Sequence, residues 1–130
     1  MNAQTTSFAG DLAFEATIVS PGEASGRMPI GPGLLNPFGT VHAGAMVWFA
    51  DVVATTLALQ GQRPEPGMQG FPLAINLSAN LISNSREGHL HARARFVKQG
   101  RRVSTVSTEV TSDDGRLLLV LTTTHVAAEG

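Results

Sequence analysis

Residues 36–59 read NPFGTVHAGAMVWFADVVATTLAL, and this stretch decides the fold. From Ala43 onward it is apolar on nearly all sides and is long enough for about four helical turns. A helix of this kind has to be covered by other elements, so we predict a buried helix over residues 43–59. One carboxylate, Asp51, interrupts the run. Burial disfavours an ionised carboxylate, and Asp51 is therefore expected to be paired, exposed or functional.

The rest of the chain predicts strands. Apolar and polar residues alternate with the period of an extended strand, or β-branched residues accumulate, in residues 12–18, 24–28, 72–83, 89–97, 103–111 and 117–126. In the third of these segments, the alternation predicts one apolar face made of Leu73, Ile75, Leu77, Ala79 and Leu81. Turn-forming residues such as Asp113-Asp114-Gly115 separate the segments. We predict an α+β fold with five to six mostly antiparallel strands wrapped around one long central helix.

Length and composition indicate one globular domain. The chain has 130 residues, of which 42% are hydrophobic and 15% charged. We expect a flexible N-terminal tail over residues 1–10 and a single domain over residues 11–128. The low charged fraction predicts that part of the surface is buried against another subunit. A net charge of -1 provides no general attraction to nucleic acid or to an anionic membrane, so neither is an expected partner.

The absence of cysteine excludes a disulfide framework, a thiolate zinc site and a cysteine nucleophile. It is compatible with a reducing cytoplasm, where we expect the protein to act. The first residues, MNAQTTSFAGDLAF, lack the basic and apolar regions of a secretory signal. The apolar run at residues 43–59 is at the short limit for a membrane span, and inserting its central Asp would cost roughly 3 kcal/mol. We therefore interpret it as a helix buried in protein.

Two parts of the sequence together resemble a known enzyme family. Residues 36–44, NPFGTVHAG, followed by Asp51 nine residues after His42, resemble the signature of hotdog-fold acyl-CoA thioesterases of the phenylacetate-degradation type. Residues 97–102 and residues 114–116 resemble that family's two hairpin turns. The resemblance extends over residues 12–127. It implies a hotdog fold, hydrolysis of an acyl-CoA to a carboxylic acid and free coenzyme A, and active sites shared across a homodimer that pairs into a homotetramer.

The physical chemistry of the helix start agrees with the roles that the resemblance implies. If the helix begins after His42, the backbone N–H groups of Ala43 and Gly44 are among its unpaired donors, and they would bind the oxygen of a thioester as it gains negative charge. By resemblance, Asp51 faces the thioester bound at the other subunit's His-containing loop. It would act as a general base on water or as a nucleophile toward the thioester carbon. Both routes are open.

The resemblance assigns supporting roles to three more residues. Asn36 would hold the substrate carbonyl or the attacking water, although Asn36-Pro37 is also a common turn former. His42 would fix the loop or form a hydrogen bond near the carbonyl. Thr55 follows Asp51 by four residues on the same helix face, and its hydroxyl would orient water. No metal or prosthetic group is expected, and the alternation of His89 and His91 on one strand is only a weak indication of a metal site.

The coenzyme is expected at a local basic patch, since seven of the nine Lys and Arg residues lie between Arg86 and Arg116. By resemblance, the residues that border its pantetheine and nucleotide are Ser83, Arg86, Lys98, Gly100, Arg101 and Arg102. The chain departs from the family at three places: Ala43 replaces a glycine, Ala74 lies where several members have Ser or Thr, and Asn84 lies in a segment where the family usually has proline. Ala43 still supplies an N–H if its φ is negative.

Two other functions stay open. One is a non-catalytic hotdog module that binds an acyl-CoA as a signal, and the other is a hotdog hydratase that acts on enoyl-CoA. Retention of Asp51 argues against the binding module. The spacing from His42 to Asp51 argues against the hydratase. The scarcity of aromatic residues neither requires nor excludes an aryl acyl group, so aryl, short and medium acyl groups are all candidates.

Overall fold

The computed structural model describes residues 4–129. It contains, in chain order, the strands and helices β1 (Glu15–Ser20), β2 (Glu23–Pro29), a single 3-10 turn (Pro32–Leu34), α1 (Ala43–Ala58), β3 (Pro72–Leu81), β4 (His89–Lys98), β5 (Val103–Thr111) and β6 (Leu117–Ala127). The predicted helix and the six predicted strands are all present, and the α+β class is confirmed. Within residues 4–129, no helix is long and apolar enough to cross a membrane.

The six strands form one antiparallel sheet in the order β1-β2-β4-β5-β6-β3. The sheet curls around α1, which contacts every strand. Because α1 is apolar on most sides, one of its faces is fully buried against the sheet through Met46, Phe49, Ala50, Val53, Ala54 and Leu57. The sheet supplies alternate residues to the same core, as a period of two requires.

The first strand begins later than predicted. The alternation suggested a strand over residues 12–18, whereas β1 spans Glu15–Ser20. Leu12 and Phe14 are nevertheless partly buried against the core. The Phe14 ring packs edge-on against the rings of Trp48 and Phe49, with centroid distances of 4.9 and 5.2 Å. The apolar pattern therefore reported burial correctly, although the chain at Leu12 lacks a strand partner.

Close packing of α1 on β2 depends on Gly26. A Cβ atom at this position would lie 2.5 Å from a Val53 side-chain carbon and 2.9 Å from a Phe49 ring carbon. We expect Gly26→Ala to lower the free energy of unfolding by about 1–3 kcal/mol, the usual cost of overpacking a core. Urea denaturation measures this loss. Gly22→Ala is the matched control, because nothing lies within 4 Å of the corresponding Cβ position; equal stability of the two variants would contradict the prediction.

Strand β3 is an exposed edge of the sheet. All of its residues after Pro72 are exposed, including Ile75, Leu77 and Leu81, whose relative exposures are 61%, 45% and 51%. The prediction that Leu73 shares a face with the other four apolar residues is wrong. An irregularity between Ala74 and Asn76 breaks the register with β6, so Leu73 pairs with Val126 and turns to the outer side. Leu77, Ala79 and Leu81 pair with buried residues of β6, so they lie on the helix side of β3, where they are still exposed.

Candidate active site

The N-terminus of α1 presents one open backbone donor. His42 is the N-cap, and its Nδ1 accepts a hydrogen bond of 3.0 Å from Gly44 N–H. The carbonyl of His42 accepts hydrogen bonds from the N–H groups of Ala45 and Met46, the two residues that follow Gly44. Within the described residues, no acceptor pairs with Ala43 N–H. Gly44 N–H is therefore engaged by the imidazole, and Ala43 N–H is the group available to an incoming oxygen.

Ala43 has an ordinary helical backbone. Within the described residues, Gln60 is the only residue other than glycine with a positive φ. Ala43, at a position where the resemblance leads us to expect glycine, therefore adds a methyl group without straining the backbone. The N–H that the predicted oxyanion site requires is retained.

Asn36 organises the turn that leads into the helix. Its Oδ1 accepts hydrogen bonds from the backbone N–H groups of Phe38 and Thr40 at 3.0 and 3.2 Å. Its Nδ2 donates to the Thr40 hydroxyl at 2.9 Å. Gly39 closes the turn with a φ of 86°, a conformation that favours glycine. The Asn36 carboxamide thus acts as a turn former, the alternative that its Asn-Pro sequence left open.

A pocket of about 670 Å3 lies beside this turn and the start of α1. One end is polar, where Asn36 and His42 reach it. The remaining walls are mostly apolar, and their larger side chains are Phe8, Leu12, Leu34, Leu35 and Trp48. This volume lies within the range of small-molecule sites in proteins. The pocket is thus a mostly apolar cavity whose polar end lies beside the start of α1.

Asp51 is a partly buried carboxylate with an unsatisfied oxygen. Its Oδ1 is buried and has no hydrogen-bond partner within the described residues. Burial raises the pKa of Asp51 above its ordinary value, and the charge of nearby His125 opposes this effect only in part. The Thr55 hydroxyl, predicted to orient water, donates at 2.9 Å to the backbone carbonyl of Asp51. A desolvated carboxylate with a free oxygen is a strong base once it has lost its proton.

His125, on β6, is a neighbour of Asp51 that the sequence did not reveal. It is 2% exposed. Its Nδ1 lies 3.2 Å from the Pro72 carbonyl and its Nε2 lies 2.8 Å from the Thr123 hydroxyl. A carbonyl can only accept, so Nδ1 donates to Pro72, and Nε2 shares a hydrogen bond with the Thr123 hydroxyl. Ala74, where the sequence resemblance leads us to expect Ser or Thr, pairs with His125 across the two strands.

A single subunit does not bring Asp51 to the open donor. Asp51 and Ala43 are eight residues apart on one helix, or about 12 Å along its axis. Ala43 lies at the end of the sheet where β3 finishes, because Val41, two residues before it, forms hydrogen bonds with Asn84 and Ser85. The neighbour of Asp51, His125, lies toward the opposite end, beside Pro72 at the start of β3. The two predicted halves of the catalytic site are therefore separated within one chain.

The residues predicted to bind the coenzyme also form two groups, which lie at opposite ends of the sheet. Ser83 and Arg86 follow β3, close to the start of α1, and Arg86 Nη1 donates to the Phe38 carbonyl at 3.2 Å. Lys98 ends β4, and Gly100, Arg101 and Arg102 form the β4–β5 turn. The ten residues of β4 separate the two groups by about 30 Å. No side chain fits at Gly100, because its Cβ would collide with the Val103 carbonyl oxygen.

Two histidines lie together away from the pocket. His89 and His91 are on one face of β4, as strand alternation predicts, with ring centroids 6.4 Å apart. His91 Nε2 is 2.7 Å from Asp113 Oδ1, and this hydrogen bond is the main cause that lowers the pKa of Asp113. Across residues 4–129, no three His, Cys, Asp or Glu side chains are grouped so that they could hold a metal ion.

Comparison with known proteins gives one family and many similar structures. Residues 38–119 match the model of the thioesterase superfamily. A thioesterase structure from Haemophilus influenzae has a TM-score of 0.78 at 21% identity, covering 89% of this chain and 78% of the other. One from Pseudomonas aeruginosa has a TM-score of 0.78 at 22% identity, covering 92% and 82%. No curated protein matches the sequence.

A third structure is that of a hypothetical thioesterase from Streptococcus pneumoniae with coenzyme A. Its TM-score is 0.77 at 17% identity, and the match covers 90% of this chain and 87% of that one. These likenesses confirm the predicted hotdog fold, a sheet wrapped around a central helix. The family match spans more than half of the chain and includes both His42 and Asp51. This protein belongs to the thioesterase superfamily.

Proposed function

We propose that this protein is an acyl-CoA thioesterase of the phenylacetate-degradation type, which hydrolyses an acyl-CoA to a carboxylic acid and free coenzyme A. The observation that carries the proposal is the open N–H of Ala43 at a helix N-terminus, in a fold that also holds a desolvated carboxylate, Asp51. Acyl transfer requires such a pair, a donor for the developing oxyanion and a base or nucleophile for the carbonyl carbon. Hydrolysis by these groups needs no metal or prosthetic group.

In the proposed reaction, the thioester oxygen accepts a hydrogen bond from Ala43 N–H. Asp51 then either removes a proton from water that attacks the carbonyl carbon or attacks the carbon itself. In both routes the C–S bond breaks, and the thiolate of coenzyme A leaves and takes a proton. In the general-base route the attacking water supplies the second oxygen of the acid. In the nucleophilic route an acyl–Asp51 anhydride forms, and water then cleaves it to release the acid and restore the carboxylate. The helix dipole and the open N–H favour the negative charge that develops on the carbonyl oxygen.

The separation of Ala43 from Asp51 within one chain supports a homodimer with shared sites. Strand β3 offers an unpaired edge and exposed apolar side chains, which a second copy of the same strand would cover. If two β3 strands pair antiparallel about a twofold axis, the start of one lies beside the end of the other. The Asp51 end of each subunit then approaches the Ala43 end of its partner.

The same pairing would reunite the residues proposed to bind the coenzyme. It brings the basic turn at Lys98–Arg102 of one subunit toward the Ser83–Arg86 segment of the other. Together these two segments would bind the phosphates of coenzyme A, although the whole chain has a net charge of -1. The apolar pocket beside His42 is then available to the acyl group. Its mostly apolar walls favour aryl, short or medium acyl groups without a charge.

The proposed dimer makes a direct prediction about β3. Leu77→Lys places a charge on the uncovered face of the strand, where the side chain is 45% exposed in the single chain. We expect the variant to fold but to sediment as a monomer, and to lose nearly all turnover because no site is complete. Val19→Lys, at a 56% exposed position on β1, is the matched control. A monomeric wild type, or an active monomeric variant, would contradict the shared site; sedimentation also distinguishes a dimer from the expected tetramer.

The function itself is tested by thiol release. The purified protein is incubated with aryl, short and medium acyl-CoAs, and free coenzyme A is measured with a thiol reagent. We expect turnover of at least one class. Tight binding without any release would identify the alternative, a non-catalytic acyl-CoA-binding module. An enoyl-CoA is included as well, and loss of its enoyl absorbance without thiol release would identify a hydratase.

A further inference from the structure

The Asn84 side chain forms hydrogen bonds with the segment just before α1, and the proposed reaction gives these bonds no role. Its side-chain Nδ2 donates to the Val41 carbonyl at 2.9 Å, and its Oδ1 accepts the Val41 N–H at 3.2 Å. The carboxamide thus pairs with both backbone groups of one residue, as a neighbouring strand would. The two residues are 43 positions apart in the sequence. A contact with this reciprocal geometry fixes the position and the orientation of Val41.

The donor N–H follows this contact directly along the chain. Val41 is fully buried, and His42 N–H donates to the Leu34 carbonyl at 2.8 Å. The peptide that carries Ala43 N–H is the second one after Val41. Hydrogen bonds to Asn84 and to Leu34 therefore hold two successive residues, Val41 and His42, immediately before the open donor. Two fixed peptides leave the direction of that donor little freedom.

Asn84 is itself anchored from another part of the sheet. Arg116, after the β5–β6 turn, donates from Nη2 to the Asn84 carbonyl at 2.8 Å. Ser85 N–H donates to Asn84 Oδ1 at 2.7 Å, and the Ser85 carbonyl shares the N–H of Val41 at 3.2 Å. The carboxamide is held before the substrate arrives. Asn84 has the geometry of a preorganised support.

We propose that Asn84 is a positioning residue, which sets the orientation of Ala43 N–H by pairing with both backbone groups of Val41. The inference rests on the proposed thioesterase function, since it assigns that N–H to the thioester oxygen. Asn84 does not touch the acyl group or the reacting atoms. Its effect is on the alignment of the oxyanion donor, which matters more in the transition state than in the bound substrate.

The test compares three variants. Asn84→Ala removes both hydrogen bonds, whereas Asn84→Asp keeps the shape and the acceptor but replaces the donor with an oxygen that repels the Val41 carbonyl. We expect kcat to fall by roughly 10- to 100-fold in both variants, the cost of a misplaced catalytic group, with KM within about twofold of wild type. Glu87→Gln is the control, because Glu87 is exposed just after this segment and, within the described residues, only its backbone carbonyl accepts a hydrogen bond. We expect it to leave kcat unchanged.

A second measurement separates positioning from folding and from the proposed function. Amide hydrogen exchange reports on residues 41–43 in each variant, and thermal melting reports on the whole domain. We expect faster exchange at Val41 and His42 in both Asn84 variants, with melting close to wild type in Asn84→Asp. A folded Asn84→Asp with wild-type kcat and wild-type exchange overturns the inference, as does a raised KM with unchanged kcat. If wild type hydrolyses no thioester, the proposed function fails, and the exchange data alone still decide whether Asn84 orders the loop.

Discussion

Replacing Asp51 with Asn is expected to reduce kcat for thioester hydrolysis by about three orders of magnitude, the usual loss when an essential base is removed. The amide has nearly the same shape as the carboxylate but can neither take a proton from water nor attack the thioester carbon. Thiol release under saturating acyl-CoA measures the loss. Binding of the acyl-CoA should change little, because Asp51 lies at the attacked carbon rather than at the coenzyme. A variant with unchanged turnover would exclude Asp51 from the mechanism.

The same substitution has a defined effect on stability. Burial raises the pKa of Asp51, so the ionised carboxylate is less favourable in the folded chain than in the unfolded one. By linkage, this unfavourable contribution develops as the pH rises from the unfolded pKa through the folded pKa, and it persists at neutral pH. Asp51→Asn removes it. We expect a melting temperature at pH 7 that is equal to or above that of wild type, together with the lost activity.

The pH dependence of wild type follows from the same shift. If ionised Asp51 is required, kcat/KM rises with pH through an apparent pKa above about 3.9, the ordinary value for Asp.

Hydrolysis in H2 18O distinguishes the two chemical routes. In a single turnover, direct attack by Asp51 followed by attack of water on the Asp51 carbonyl puts an oxygen of the carboxylate into the acid and leaves 18O in the protein, whereas a general base leaves no label there. Thr55→Ala is a useful companion variant because its hydroxyl bonds the Asp51 carbonyl.

The elements of the fold were predictable because each depends on local patterns. The long apolar run from Ala43 required a covered helix, and the period of two required strands. The irregularity in β3 was not predictable. It leaves one residue beside Ala74 without a partner on β6 and so turns Leu73 to the other face, but nothing in the order of apolar and polar residues marks this position. A pattern of alternating residues carries no information about where the ladder slips.

The candidate site was predictable only in outline. The N-cap position of His42 and the open donor at Ala43 follow from the sequence at the helix start. The capture of Gly44 N–H by the His42 ring depends on a side-chain rotamer, and the support from Asn84 depends on a contact between distant segments. The proximity of His125 to Asp51 likewise requires knowledge of the strand order. Residues that act through another residue are visible only once the chain is folded.

Ala43→Pro is expected to remove the oxyanion donor without disturbing the helix. Ala43 is the first residue of α1, where proline is favoured because the N–H at this position has no helical partner. The preceding residue, His42, has φ −62° and ψ 133°, a conformation that residues before proline adopt readily. We expect a melting temperature equal to or above that of wild type and a kcat reduced by about 10²- to 10³-fold, as when one oxyanion donor is lost.

Ala43→Gly is the matched control, because it keeps the N–H and restores the residue that the resembled family has at this position. We expect its kcat to stay within several-fold of wild type. Circular dichroism and thermal melting of both variants show whether the helix is intact. A folded Ala43→Pro variant with the turnover of wild type would show that the Ala43 N–H does not bind the thioester oxygen.

The two inactive variants together test whether each site is built from two subunits. Asp51→Asn retains an intact donor, and Ala43→Pro retains an intact carboxylate. In a heterodimer of the two, one shared site combines both intact groups and the other combines both defects. Co-expression with two different affinity tags yields this heterodimer, and we expect about half of the wild-type activity per dimer. If each site lay within one subunit, both sites of the heterodimer would be defective. The heterodimer would then be as inactive as either parent variant.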